Sequence, residues 1–166
     1  LIGILIALYV SRYVSRQAKQ LATQALYDPL TALPNRSLMH DRLEQTIAQS
    51  QRNKRSFGVV LMDLNRFKEV NDSLGHNVGD QLLREVGNRL RKTVRGGDTV
   101  ARMGGDEFVI ILHELTEDDV PIFANKLRAA LETEFRWDDQ SIDISASMGF
   151  ALFPQHADDP DSLIRY

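Results

Sequence analysis

The sequence predicts an α/β sandwich, with a mixed, mainly antiparallel central sheet flanked by helices. Three observations carry this. Residues 57–62 and 108–112 are short, unbroken apolar runs rich in β-branched side chains, the pattern of strands buried in a sheet. Gly104 and Gly105 sit between residues 99–103 and the second run, as in a β-hairpin. The stretches between the strands space their apolar residues by three and four, as helices with one buried face do.

Taken in chain order, the first ten residues are all apolar or glycine, and Arg12, Arg16 and Lys19 follow with no acid before residue 27. Ten residues rise only about 15 Å as a helix, half a hydrocarbon core. The positive charge comes after the apolar run, the reverse of a signal peptide. We read residues 1–26 as the cytoplasmic end of a membrane helix with its positive-inside flank, continuing into a linker helix. A buried or interfacial helix is the alternative. Val14, Ala18, Leu21 and Ala25 follow four-three-four spacing, as in a short coiled-coil seam or a helix lying on its own domain.

The domain proper is assigned to residues 27–166. Pro29 and Pro34 break the helix. A helix over about 37–51 shows Met39, Leu43 and Ile47 on one face. The strand 57–62 stops abruptly at Asp63. Residues 71–79 have loop composition, and the helix after them turns Leu82, Leu83, Val86 and Leu90 inward until Gly96 and Gly97. The hairpin follows, then a helix marked by Phe123, Leu127, Ala130 and Leu131, and at least one more strand within 142–153.

Composition excludes several classes. Apolar residues make up 43% and charged residues 26%, so the chain is neither disordered nor low in complexity. It has no cysteine, which removes disulfides, thiolate zinc sites and a cysteine nucleophile. The net charge is −3; residues 1–26 carry +3, leaving −6 on the rest. That balance argues against a nucleic-acid partner.

Two apolar strands meet acids. Asp63 ends one, and Asp106 and Glu107 open the other. Carboxylates at the ends of buried strands are costly unless protons, partners or metals neutralise them. If the strands are neighbours, Asp63 and Asp106 converge at one sheet end, a donor set suited to a hard cation such as Mg²⁺. Gly104 and Gly105 leave room for phosphates beside the backbone. These residues by themselves fit metal-assisted chemistry on a nucleoside phosphate, or an ordinary solvated turn with surface acids.

Residues 104–108 read Gly-Gly-Asp-Glu-Phe, and the chain resembles the GGDEF family of diguanylate cyclases from about Asp28 onward. Residues 28–36 (DPLTALPNR), 63–72 (DLNRFKEVND), 75–80 (GHNVGD), Arg102 and 147–150 (SMGF) carry the likeness, in order and at matching spacing. The resemblance implies a fold similar to the nucleotidyl cyclase and polymerase palm. It implies condensation of two GTP into cyclic di-GMP and two pyrophosphates, in a homodimer of C2 symmetry. It implies two Mg²⁺ or Mn²⁺ ions held by Asp63, Asp106, Glu107 and the Leu64 carbonyl, with Glu107 activating the 3′-hydroxyl. Asn71 and Asp80 match guanine-reading positions; for Asp80 a helix-capping role is the alternative. Phe67 and Lys68 match a phosphate-side loop beside Gly104 and Gly105.

Arg95 and Asp98 form an RxxD matching the family's product-inhibition site, and Arg102 matches a further basic position linked to it. Residues 28–36 and 63–72 also resemble tandem proteins in which an EAL phosphodiesterase domain follows. The resemblance therefore leaves a second reading: a non-catalytic GTP- or cyclic di-GMP-binding module controlling a fused partner. A bare dimerising domain is a third. With the membrane helix, the expected location is the cytoplasmic side of an inner membrane. Family members continue beyond the position of Tyr166 with a helix bearing a phosphate-contacting Lys and Arg and a last strand.

Overall fold

The computed structural model describes residues 9–10, 12–14, 25–138 and 140–166. Residues 1–8 of the apolar run, and Ala18 and Leu21 of the seam, lie outside the described residues. Tyr9, Val10, residues 12–14, Ala25 and Leu26 are helical. Among the described residues no helix is long and apolar enough to cross a membrane.

Four strands form the main sheet: β1 (Phe57–Leu64), β2 (Thr99–Gly104), β3 (Glu107–His113) and β6 (Ala146–Phe153), in the order β2-β3-β1-β6. Every pairing in it is antiparallel, so the parallel component expected of a mixed sheet is absent among the described strands. A separate two-stranded ribbon, β4 (Phe135–Trp137) with β5 (Gln140–Ile142), precedes β6.

Among residues 27–166, five α-helices flank the sheet: α1 (Arg36–Asn53), α2 (Phe67–Leu74), α3 (His76–Thr93), α4 (Val120–Leu131) and α5 (Pro160–Arg165). Strand alternation splits the core between the two sheet faces. Val60, Met62, Phe108 and Ile110 pack with Leu82, Val86 and Leu90 of α3 and Leu127 of α4. Phe57, Val59, Val109 and Ile111 pack with Met39, Leu43 and Ile47 of α1 and Leu163 of α5. The spacing of Met39, Leu43 and Ile47 thus marks a genuine core face, and α1 is closed by Asn35, whose side chain accepts from the Leu38 amide at 3.1 Å.

Two expectations change. Strand β1 is buried on both faces only through Val60; Leu61 and Asp63 are exposed, because α1 and α5 cover just the Phe57 end of that face. Residues 71–79 are not a loop. Helices α2 and α3 are separated only by Gly75, at φ +89°, a conformation glycine adopts without the Cβ clash of other residues. Asp72, Ser73, His76 and Asn77 on these helices are exposed.

The two middle strands are anchored at the end remote from the acids. The Phe57 and Phe153 rings stack with centroids 5.0 Å apart and planes 16° from parallel. Phe57 has no exposed surface and Phe153 has 4%. Phe57→Ala is expected to cost about 3–5 kcal/mol of stability, read by urea unfolding of the purified chain.

Candidate active site

Register brings the acids together. In the β1–β3 ladder, Asp63 lies directly opposite Glu107, on the same sheet face. Asp106 occupies the turn just before Glu107, and its carbonyl accepts from the Leu64 amide at 3.3 Å, tying the turn to the end of β1. Gly104 at φ +135° and Gly105 at φ +53° give the hairpin a backbone path closed to most side chains, and a bulge follows Arg102. No backbone or side chain crowds either glycine on the side where a Cβ would project, so the approach to the turn is open.

None of the ion pairs among the described residues involves Asp63, Asp106 or Glu107. Partial desolvation at the strand end, and then the neighbouring Asp106 charge, push the Asp63 carboxyl above its ordinary value. Unpaired acids that repel one another fit a divalent cation, and oxygen donors of this kind suit Mg²⁺ or Mn²⁺. The three carboxylates do not close into one tight cluster. Among the described residues, the group of three whose donor atoms all lie within 4.8 Å of one another is His40, Asp41 and Glu44, on α1. The Asp63 site is an open pair of strand ends.

Of the other predicted site residues, Asn71 lies on α2 and Asp80 on α3. A Cβ on Gly79 would lie 2.0 Å from the Asn71 Oδ1 and 3.2 Å from the tip of the Phe67 ring. Gly79 is therefore the seat on which both side chains rest, and it places the Asn71 amide next to the residue preceding Asp80. Helix α3 begins at His76, so Asp80 lies past the first turn and cannot serve as its cap. Phe67 is half-buried against the core, and Lys68 is exposed.

The RxxD turn sits apart, at the far end of β2. One Asp98 oxygen accepts from the Arg95 amide at 3.0 Å, and the other accepts from the His113 amide at 3.0 Å. The Asp98 side chain is only 5% exposed, while Arg95 is exposed. A cleft of about 470 Å³ opens here, its lining including Tyr27, Arg42, Arg91, Arg95 and Asp98. Arg102 lies elsewhere. Its guanidinium reaches Asp28 at 3.0 and 3.1 Å and the Gly105 carbonyl at 2.7 and 3.0 Å. Sequence reasoning did not find the partnership with Asp28, or Gly79 as the seat of Asn71. The first had a local signal: Asp28 accepts from both the amide and the hydroxyl of Thr31, an Asp-x-x-Thr turn.

Residues 25–166 match the family model described as diguanylate cyclase, GGDEF domain. The chain belongs to the GGDEF family. It is 47% identical over 136 residues to the bifunctional diguanylate cyclase/cyclic di-GMP phosphodiesterase MucR of Pseudomonas aeruginosa, covering 82% of this chain and 20% of that one. It is 37% identical over 139 residues to the cyclic di-GMP phosphodiesterase PdeR of Escherichia coli, covering 84% of this chain and 21% of the relative. The chain thus spans about a fifth of the length of these two relatives. The solved GGDEF domain of TpbB from P. aeruginosa superposes with a TM-score of 0.80 at 37% identity, covering 84% of this chain and 82% of that one. The GGDEF domain of DgcB from Caulobacter crescentus, solved with cyclic di-GMP, gives 0.77 at 27% identity, covering 85% and 82%.

The raised Asp63 carboxyl has a stability consequence. The folded state disfavours its charge, so its contribution is most favourable below the unfolded value and is lost as pH rises through the folded value. Without divalent ions at pH 7, Asp63→Asn should raise the thermal midpoint, and the gain should vanish at acid pH, where the Asp63 carboxyl is protonated in both states. Added Mg²⁺ should raise the midpoint of the unsubstituted chain and leave that of Asp63→Asn unmoved.

Proposed function

We propose that this domain condenses two GTP molecules into cyclic di-GMP, working as an antiparallel pair of subunits. The observation that carries the reading is the Asp63–Glu107 register, with Asp106 in an open glycine turn, in a chain whose GGDEF letters are intact. Asp63, Asp106, Glu107 and the Leu64 carbonyl would hold Mg²⁺ or Mn²⁺. When bound, such ions lower the pKa of a coordinated hydroxyl and neutralise charge on the reacting phosphate.

The protein's own residues supply position. Asn71 and Asp80 offer an amide and a carboxylate, the donor and acceptor set that guanine's edge requires. Phe67 and Lys68 flank the triphosphate, and Gly104 and Gly105 let it approach the turn. The Glu107 carboxylate accepts the 3′-hydroxyl proton as that oxygen bonds to the α-phosphorus of the second nucleotide. The α–β phosphate bond breaks and pyrophosphate leaves. Each chain has one such face and holds one nucleotide, so ring closure requires a second copy. The rate should therefore rise faster than linearly with enzyme concentration.

Gly79→Ala tests the guanine seat. Its methyl group displaces the Asn71 amide, and the KM for GTP should rise about tenfold while far-UV circular dichroism stays unchanged.

Arg95 and Asp98 form the product-inhibition site. The arginine-lined cleft supports this, since guanidinium groups bind guanine and phosphate in bidentate fashion. The direct assay is pyrophosphate release by the full parent chain. Turnover that Asp106→Asn abolishes, and that Arg95→Ala frees from inhibition by cyclic di-GMP, is the expected result. Binding of GTP without any turnover would favour the second reading, a regulatory module for a fused EAL phosphodiesterase; the likeness to PdeR supports keeping it. The apolar run 1–10 with its basic flank supports a parent anchored in the inner membrane, with this domain on the cytoplasmic side.

A further inference from the structure

The Arg102 guanidinium is committed on every side. Nη1 forks onto both oxygens of Asp28, at 3.0 and 3.1 Å, while Nε and Nη2 both donate to the Gly105 carbonyl, at 3.0 and 2.7 Å. The side chains of Arg102 and Asp28 are only 11% and 16% exposed. Asp28 is held in turn: burial would raise its carboxyl, but the Thr31 hydroxyl and amide and then Arg102 outweigh that and keep it below the ordinary value. The Arg102 amide also donates to the Pro34 carbonyl at 2.9 Å. Arg102 therefore links the segment that enters the domain to the glycine turn.

That turn has little else to fix it. Its two glycines have no side chains to pack, and its ladder is interrupted by the bulge after Arg102. Its outside supports are the Arg102 fork on Gly105 and the Leu64 amide on the Asp106 carbonyl. Asp106 lies between these two bonds. Releasing the Arg102 fork removes one of these two anchors and lets the Asp106 carboxylate shift relative to Asp63.

We propose that Arg102 and Asp28 are positioning residues for Asp106 and Glu107, and that Arg102 is not a contact for cyclic di-GMP. The fork makes the entry segment part of the catalytic centre, so that strain applied just before Asp28 is felt at the acidic turn. This inference rests on the cyclase reading given above.

The test uses the full parent chain carrying Arg102→Lys, with Asp28→Asn as a second, milder variant. Lysine keeps an ion pair with Asp28 but has no planar fork to hold Gly105 as well. A purely structural role predicts that lysine restores both thermal midpoint and turnover. Positioning predicts a midpoint close to that of the unsubstituted chain and a kcat lowered at least tenfold. The KM for GTP and the inhibition constant for cyclic di-GMP should stay within twofold. Asp28→Asn should lower kcat in the same way, and the double variant should lose no more than the worse single one. An unchanged kcat with an inhibition constant raised tenfold would return Arg102 to the product site and overturn the proposal.

Mn²⁺ titration by electron paramagnetic resonance separates the two failures. An unsubstituted chain that binds Mn²⁺ but does not turn over GTP defeats the cyclase reading alone. The positioning role then stands if Arg102→Lys weakens Mn²⁺ binding at least fivefold, and falls if the affinities are equal.

Discussion

The rest of the site depends on the antiparallel pairing of β1 with β3. Seven residues of β1 pair in register with seven of β3, from Phe57 opposite His113 to Asp63 opposite Glu107. Most of that ladder is buried between α3 and α4 on one face and α1 and α5 on the other. A slip of one residue would turn the buried side chains to the wrong face. The hydrophobic core thus holds the acids opposite one another, although the acids by themselves repel. Stability earned at the Phe57 end is spent at the Asp63 end, as expected where a fold concentrates like charge for function.

The two faces of the sheet are not equivalent at that end. The α3 face stays closed through Leu64, while the other face opens at Leu61, Asp63 and Glu107. On the α3 side, Gly79 lets Asn71 and Phe67 lie flat against that helix. The predicted site residues thus fall on the ends of two central strands and on a helix pair with only Gly75 between the helices. Neither element is long enough to provide them alone. Family members named for synthesis and for hydrolysis of cyclic di-GMP are both similar to this chain, in keeping with one scaffold used in proteins of different net activity.

Arginines divide the labour by position rather than by type. Arg95 is exposed at a cleft, Arg102 is locked between a carboxylate and a carbonyl, and Arg89 reaches the Leu131 and Glu134 carbonyls, both at 3.1 Å, with the Thr133 carbonyl between them. Asp98 and Asp28 each commit their oxygens to neighbouring donors. Short motifs name the residue types, and burial determines which donors are left for a ligand. The RxxD letters supply one exposed guanidinium and one almost enclosed carboxylate, so the two residues do not present equal surfaces to a ligand.

Periodicity and composition determined the helix faces, the buried strands, the hairpin and the candidate acids, because these follow from local hydrophobic pattern and turn chemistry. The family was legible too, since several blocks fall at matching spacings. What the chain order left open were contacts between residues far apart in sequence: Asp63 with Glu107, Arg102 with Asp28, and Asn71 resting on Gly79. It also misread residues 71–79, where polar composition hid two helical stretches whose outward faces are solvated. Those matters were decided by strand register, by the single break at Gly75 and by which donors burial had already consumed, all of which arise only when the sheet and helices pack together.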